Sequence, residues 1–188
     1  MRYIVSILFL ASISIMAGVS VQPLRFFDLR SIVKSSNLSV RDFAASDGSI
    51  YWLLSVTQGD TRINQIVVTD RTGKLERIVA LPSPAVYLAI SVTPDRLIWV
   101  ARVAGTKGEL VALNDQGVVQ RTIVTPAAPV AVWARSNAEP AWLDGQSLHA
   151  GRTHEAIWLS PNISRPFVMT QMRSNLVVAD QASVVRRK

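Results

Sequence analysis

The residues best equipped for chemistry are His149, His154 and Glu155, the two histidines and a nearby glutamate in one short segment. Two imidazoles and a carboxylate form a ligand set able to hold zinc, which makes these three the metal candidates. Helical zinc ligands usually stand four residues apart, on one face; these histidines are five apart in a turn-rich stretch, which also fits two exposed loop histidines. A serine triad would have to recruit one of them, and no nucleophile-elbow motif accompanies it. The segments DRTG (Asp70–Gly73) and NDQG (Asn114–Gly117) carry too few oxygen ligands for a calcium loop. The glycines are isolated turn residues, not a phosphate-cradling loop. There is no cysteine, which excludes disulfides, thiolate metal sites and cysteine nucleophiles. No catalytic residue is assigned on this reading, and no cofactor is expected.

The elements that position these residues are strands. From Ala89 to Pro126 the chain reads as short strands joined by turn chemistry, and weaker copies lie on both sides. Asp47 and Tyr51 match Asp95 and Trp99 at a spacing of 48. Ile66, Asp70, Gly73, Arg77 and Pro82 match Leu110, Asn114, Gly117, Arg121 and Pro126 at a spacing of 44. The four-residue change is expected in the polar loop Gln58–Arg62, where insertion costs least. Repeats of forty-odd residues built from strands and turns are the signature of propeller blades.

Within a copy, Pro94-Asp95 is expected to make a tight turn, the aspartate bonding the backbone ahead of it. Leu97 to Ala101 is apolar throughout, as in a strand covered on both faces. Gly73 and Gly117 are expected at positive φ in the hairpin turns. Proline recurs at Pro82, Pro84, Pro126 and Pro129, where it ends the outer strand. Trp52, Trp99 and Trp142 read as packing residues. A ligand-binding face would be formed by loops that differ between copies, Gln58–Arg62, Gly105–Gly108 and Arg135–Glu139. Its candidates are Gln58, Asp60, Arg62, Lys107, Arg135 and Asn137.

The boundaries follow. Residues 1–21 carry one basic residue, an apolar run and a small-residue exit, the layout of a signal peptide; an uncleaved N-terminal anchor is the rival reading. Residues 22–41 form a lead-in segment, either a short strand or one ragged helical turn. Residues 42–188 form the repeat domain, with copies at about 42–82, 86–126, 130–161 and 162–188. The chain is therefore expected to be exported, to the periplasm or outside the cell, touching a membrane only through its N-terminus if uncleaved. At 188 residues it suffices for one cored domain. The formal charge is +7, with 20 Lys+Arg against 13 Asp+Glu. The basic residues are scattered, which favours solubility over nucleic-acid binding, and no nucleic-acid partner is expected.

These units resemble the blade repeats of bacterial six-bladed, NHL-type propellers. The shared shape is a turn with aspartate, an apolar strand with an aromatic (Tyr51, Trp99, Trp142), then strand, Asp-x-x-Gly (Asp70–Gly73, with Asn114–Gly117 as a variant) and strand. The resemblance implies an all-β fold of propeller-like antiparallel blades, a partial or small β-propeller, after an N-terminal signal helix. Six or seven blades at this period need about 250 residues or more, so three to four fit here. A two-sheet sandwich is the structural alternative. The functional expectation is a non-enzymatic binding or scaffold module, with a protein partner or self-association through open blade edges. The alternatives are a metal-dependent hydrolase, lactonase or lyase of the kind some propellers carry, and a truncated propeller without independent function.

Overall fold

The computed structural model describes residues 28–35, 37–82, 84–134, 140–144 and 147–150, together with the backbone of strands at 155–158, 166–172, 175–180 and 184–186. The expected signal segment at 1–21 lies outside the described residues. Among the described residues the chain is all-β apart from α1 (Leu29–Val33), one helical turn in the lead-in segment.

The described strands form four antiparallel meanders, each taking its strands in chain order. The first sheet is β1 (Leu38–Ser46), β2 (Ser49–Gln58), β3 (Thr61–Asp70) and β4 (Leu75–Ala80). The second is β5 (Val86–Val92), β6 (Ile98–Ala104), β7 (Lys107–Leu113) and β8 (Val119–Thr125). The third is β9 (Ala131–Trp133), β10 (Ala141–Leu143), β11 (Ser147–Ala150) and β12 (Glu155–Trp158). The last has three strands, β13 (Pro166–Met172), β14 (Asn175–Asp180) and β15 (Val184–Arg186). First strands adjoin in order, β1 to β5, β5 to β9 and β9 to β13. Consecutive meanders with adjoining first strands are the blade arrangement of a propeller.

The sheets stack face to face, and strand alternation decides which residues meet. Along β6, Ile98 and Val100 pack toward the first sheet with Leu53, Ile66 and Val68. Trp99 and Ala101 point the other way, toward Val132, Ala134 and Trp142 of the third sheet. That is why Leu97 to Ala101 is apolar without alternation: both faces of β6 are covered. Each fully buried aliphatic side chain contributes roughly 1.5–3 kcal/mol, so these two clusters carry the stacking.

Turn chemistry explains the sheet ends. The Asp70 carboxylate accepts from the Thr72 hydroxyl at 2.6 Å and from the amides of Thr72 and Lys74 at 2.8 and 2.9 Å. Asn114 repeats this with the amides of Gln116 and Val118, at 3.0 and 2.8 Å. Gly73 and Gly117 take φ of 86° and 83°, as the hairpin requires. The first of those bonds, with Thr72, is the main cause that holds the Asp70 carboxyl below its ordinary value.

Two expectations are corrected here. In the Pro94-Asp95 turn the side chain that bonds the backbone is that of Thr93, whose hydroxyl donates to Leu97 O at 3.1 Å and accepts from Leu97 N at 3.0 Å. Thr93 is fully buried and Asp95 exposed, so the shorter hydroxyl at the mouth of the turn takes the role expected of the aspartate. The four-residue insertion does not enlarge a loop either. Both hairpins turn through two residues, Gly59-Asp60 and Gly105-Thr106, and the extra residues lengthen the strands.

Candidate functional site

That lengthening builds a projection at one end of the first sheet. The matched rows Tyr51↔Val68 and Trp99↔Ala112 start both hairpins at the same level of their sheets. The first hairpin then runs on to Gln58↔Thr61, the second only to Ala104↔Lys107, so the first carries two additional residue pairs. At a rise of about 3.4 Å per residue the first tip stands about 7 Å farther out. β1 is lengthened alongside it, pairing Leu38 with Val56, and Thr57 N donates to Asn37 O at 3.0 Å. The projection is thus three-stranded at its base.

Gln58, Asp60 and Arg62 sit at this tip and are exposed. Arg62 is partly tied down, its Nε donating to Ser55 Oγ at 2.5 Å. Lys107 is exposed at the shorter neighbouring tip. Both tips lie at the same end of their sheets, because β2 and β6 each run second in their meander. Arg135 and Asn137 lie outside the described residues.

The metal candidates are placed differently from a loop pair. His149 lies in β11 and is 6% exposed, in register with Trp142 of β10. The two rings stack at 3.8 Å between centroids and 5° between planes. His149 Nε2 meets Asp144 Oδ2 at 2.8 Å, while Asp144 Oδ1 accepts from Ser147 N at 2.8 Å. Register supplies what the spacing lacked: a histidine expected in an exposed loop is buried because it pairs across the strands with a tryptophan. Glu155 pairs with Ala150, and His149 with Ala156, so the two positions fall in adjacent rows of the sheet. His154 lies outside the described residues. Among the described residues no group of three potential metal ligands comes together. The Asp144–His149–Trp142 arrangement closes the β10–β11 turn.

Several other buried or part-buried polar groups also link neighbouring strands and sheets. Asp42 Oδ2 accepts from Ile90 N at 2.9 Å and Oδ1 from Phe43 N at 2.8 Å, joining the first strands of neighbouring sheets. Burial raises its carboxyl above the ordinary value, against the lowering effect of these two amides. Ser91 Oγ makes the equivalent link to the third sheet, accepting from Ala134 N at 3.0 Å. Near the first crossover, Arg102 spans Glu109, at 2.7 and 2.8 Å, and the Tyr87 hydroxyl, at 3.1 Å. Tyr87 in turn donates to Pro82 O at 2.7 Å. Sequence reading had no signal for these groups, since the partners lie up to 48 residues apart and the register that joins them is set by stacking.

No family model matches the chain, and no curated protein matches it. Among solved structures it is similar to a protein of unknown function from Bacteroides caccae, at 16% identity and a TM-score of 0.55, with 82% of this chain and 58% of that one covered. A virginiamycin B lyase from Staphylococcus aureus aligns at 12% identity and a TM-score of 0.48, over 79% of this chain and 69% of the lyase. A streptogramin B lyase aligns at 12% identity and a TM-score of 0.46, over 79% and 68%. At this identity the likeness to the Bacteroides caccae protein is one of fold, and at their TM-scores the two lyases lend this chain no chemistry. The chain spans 58% of the length of that Bacteroides caccae protein.

Proposed function

We propose that this chain is an exported, non-enzymatic binding or scaffold module, a propeller-like sector of the NHL type that engages a protein partner through the end of its sheets bearing the Gln58–Thr61 tip. The observation that carries the reading is the selective lengthening of one hairpin. Two added residue pairs contribute little to the sheet-stacking core, yet they lift Gln58, Asp60 and Thr61 clear of the neighbouring tip. Surface projections on a rigid sheet are the usual place for recognition. The polar groups of the interior favour the same reading: Asp42, Arg102, Glu109, Asp144 and His149 are engaged in holding strands and turns together.

Site-specific photo-crosslinking in the exporting host tests this. A crosslinker at Gln58 is expected to capture a defined partner, and one at Gln116, exposed in a turn at the opposite end of the sheets, is not. Equal capture at both positions, or none at Gln58, refutes the reading.

A further inference from the structure

On the side that faces the second sheet, the base of the projecting hairpin forms one wall of a basic recess. We infer that this recess seats a carboxylate of an acidic peptide segment, held between the Arg62 guanidinium and the Lys107 ammonium. This deepens the tip-binding reading and rests on it for the partner, whose chemistry it names.

Register places the two cations on facing walls. In the first hairpin, the row Leu53↔Ile66 lies in the core shared with Val100 and Val111 of the second sheet. Alternation carries that face outward through Ser55↔Asn64 to Thr57↔Arg62. Asn64 fixes the direction, its Nδ2 donating at 3.0 Å to Ala85 O in the crossover to the second sheet. On the other wall Val100↔Val111 is followed by Arg102↔Glu109, and Lys107, two residues from Glu109 along β7, faces the same way. The matched rows make Val56↔Ile63 level with Ala104↔Lys107, so Thr57↔Arg62 is the first of the two added pairs. The lengthening therefore brings Arg62 one row above Lys107. Sheets stacked face to face stand about 10 Å apart, a gap that an arginine and a lysine from opposite walls can close on one carboxylate.

The recess is built, and its charge is not neutralised. Ser55, 4% exposed, accepts from Arg62 Nε, which lays the guanidinium on this wall and leaves both Nη groups without a partner among the described residues. Those two groups form the fork that meets both oxygens of a carboxylate. Lys107 is exposed, and its ammonium too has no partner among the described residues. Deeper in the gap, Arg102 and Glu109 pair with only 16% and 15% of their side chains exposed, so the floor is closed and neutral. Asp60, in the turn beyond, is paired with neither cation. Two positive charges thus face each other across the mouth of the recess, and an acidic segment is their complement.

The test uses the purified full chain and a labelled hexaglutamate peptide, with hexaglutamine as the uncharged control. Binding is read by fluorescence anisotropy at low salt, where charge pairs are least screened, beside the far-UV spectrum. Hexaglutamate is expected to bind and hexaglutamine not. R62Q and K107Q are each expected to weaken binding about tenfold with the β signal kept, both sites being exposed. R71Q, which removes an exposed arginine at the opposite end of the sheets, is expected to leave binding unchanged. A wild type that does not bind overturns the inference. So does binding that R62Q and K107Q leave intact, or a loss in R71Q equal to theirs, which would be net charge alone. Crosslinking from Gln58 in the host, repeated in R62Q/K107Q, separates this inference from the tip-binding reading. Capture that the double variant abolishes supports both; capture that survives it overturns the carboxylate site and leaves the tip reading standing. Peptide binding lost in R62Q and K107Q, with no capture at Gln58 in wild type, supports the site and refutes the tip reading.

Discussion

The Asp42 carboxylate of β1 accepts the amide of Ile90 in β5 at 2.9 Å, binding the first strands of two sheets side chain to backbone. Burial is the main influence on that carboxyl and raises it. The folded chain therefore holds the Asp42 proton more tightly than the unfolded chain, whose ordinary value is 3.8. The stability Asp42 contributes is complete below pH 3.8 and is lost as pH rises through the raised folded value. Asp42→Asn keeps an acceptor for Ile90 and has no charge to bury. Thermal melts across the acidic range should show the stability of wild type relative to this variant falling as pH rises, then levelling. A constant difference would show that Asp42 has no linkage to folding.

Gly108 is buried under the crossover that follows β8. A Cβ there would run into Ala127 O and the Thr125 hydroxyl and come within 2.8 Å of Pro129 Cδ. Two of these contacts are backbone or ring atoms that cannot swing aside. Gly108→Ala is expected to cost about 1–3 kcal/mol, the range for overpacking a tight site. Urea unfolding measures it, and a change within the scatter of surface substitutions would mean that the crossover yields.

Thr93 and Asp95 separate the two accounts of their turn. Thr93→Val keeps the shape and removes both bonds to Leu97, at an expected cost of about 1–3 kcal/mol for the buried groups left behind. Asp95→Ala, at an exposed site, is expected to stay within about 0.5 kcal/mol. The reverse ranking in denaturant melts would return the turn to the aspartate.

His149→Ala removes the ring stacked on Trp142 and the partner at Asp144 Oδ2. A loss of about 2–4 kcal/mol is expected, from the cavity and the weakened buried pair together. Trp142 fluorescence should shift to the red as water reaches the indole. An unshifted spectrum with unchanged stability would free His149 for some other role.

Much of the fold was legible because turn chemistry is local. Asp70–Gly73 and Asn114–Gly117 announce their hairpins through short-range bonds and a positive-φ glycine, and the unbroken apolar run at Ile98–Ala101 announces a strand covered on both faces. What could not be read depends on register or stacking. The burial of His149 follows from Trp142 lying opposite, and the role of Asp42 from a strand in the next sheet. The lengthened hairpin was visible as a change of spacing from 48 to 44, but spacing alone does not distinguish a larger loop from longer arms. Of the binding candidates, Gln58, Asp60, Arg62 and Lys107 share one end of the first two sheets; that grouping needed the strand order.

The lengthened hairpin also has an arithmetic consequence for how such a chain can vary. Antiparallel pairs alternate between hydrogen-bonded and non-hydrogen-bonded, so one pair added at the tip would leave the core pairs in place but close the two-residue turn on the other kind of pair, with its flanking side chains on the other face. Two on each arm is the smallest symmetric addition that gives the turn the same kind of closing pair. The reach of this tip can therefore lengthen or shorten in steps of about 7 Å while Tyr51, Trp52 and Leu53 keep their partners in the core.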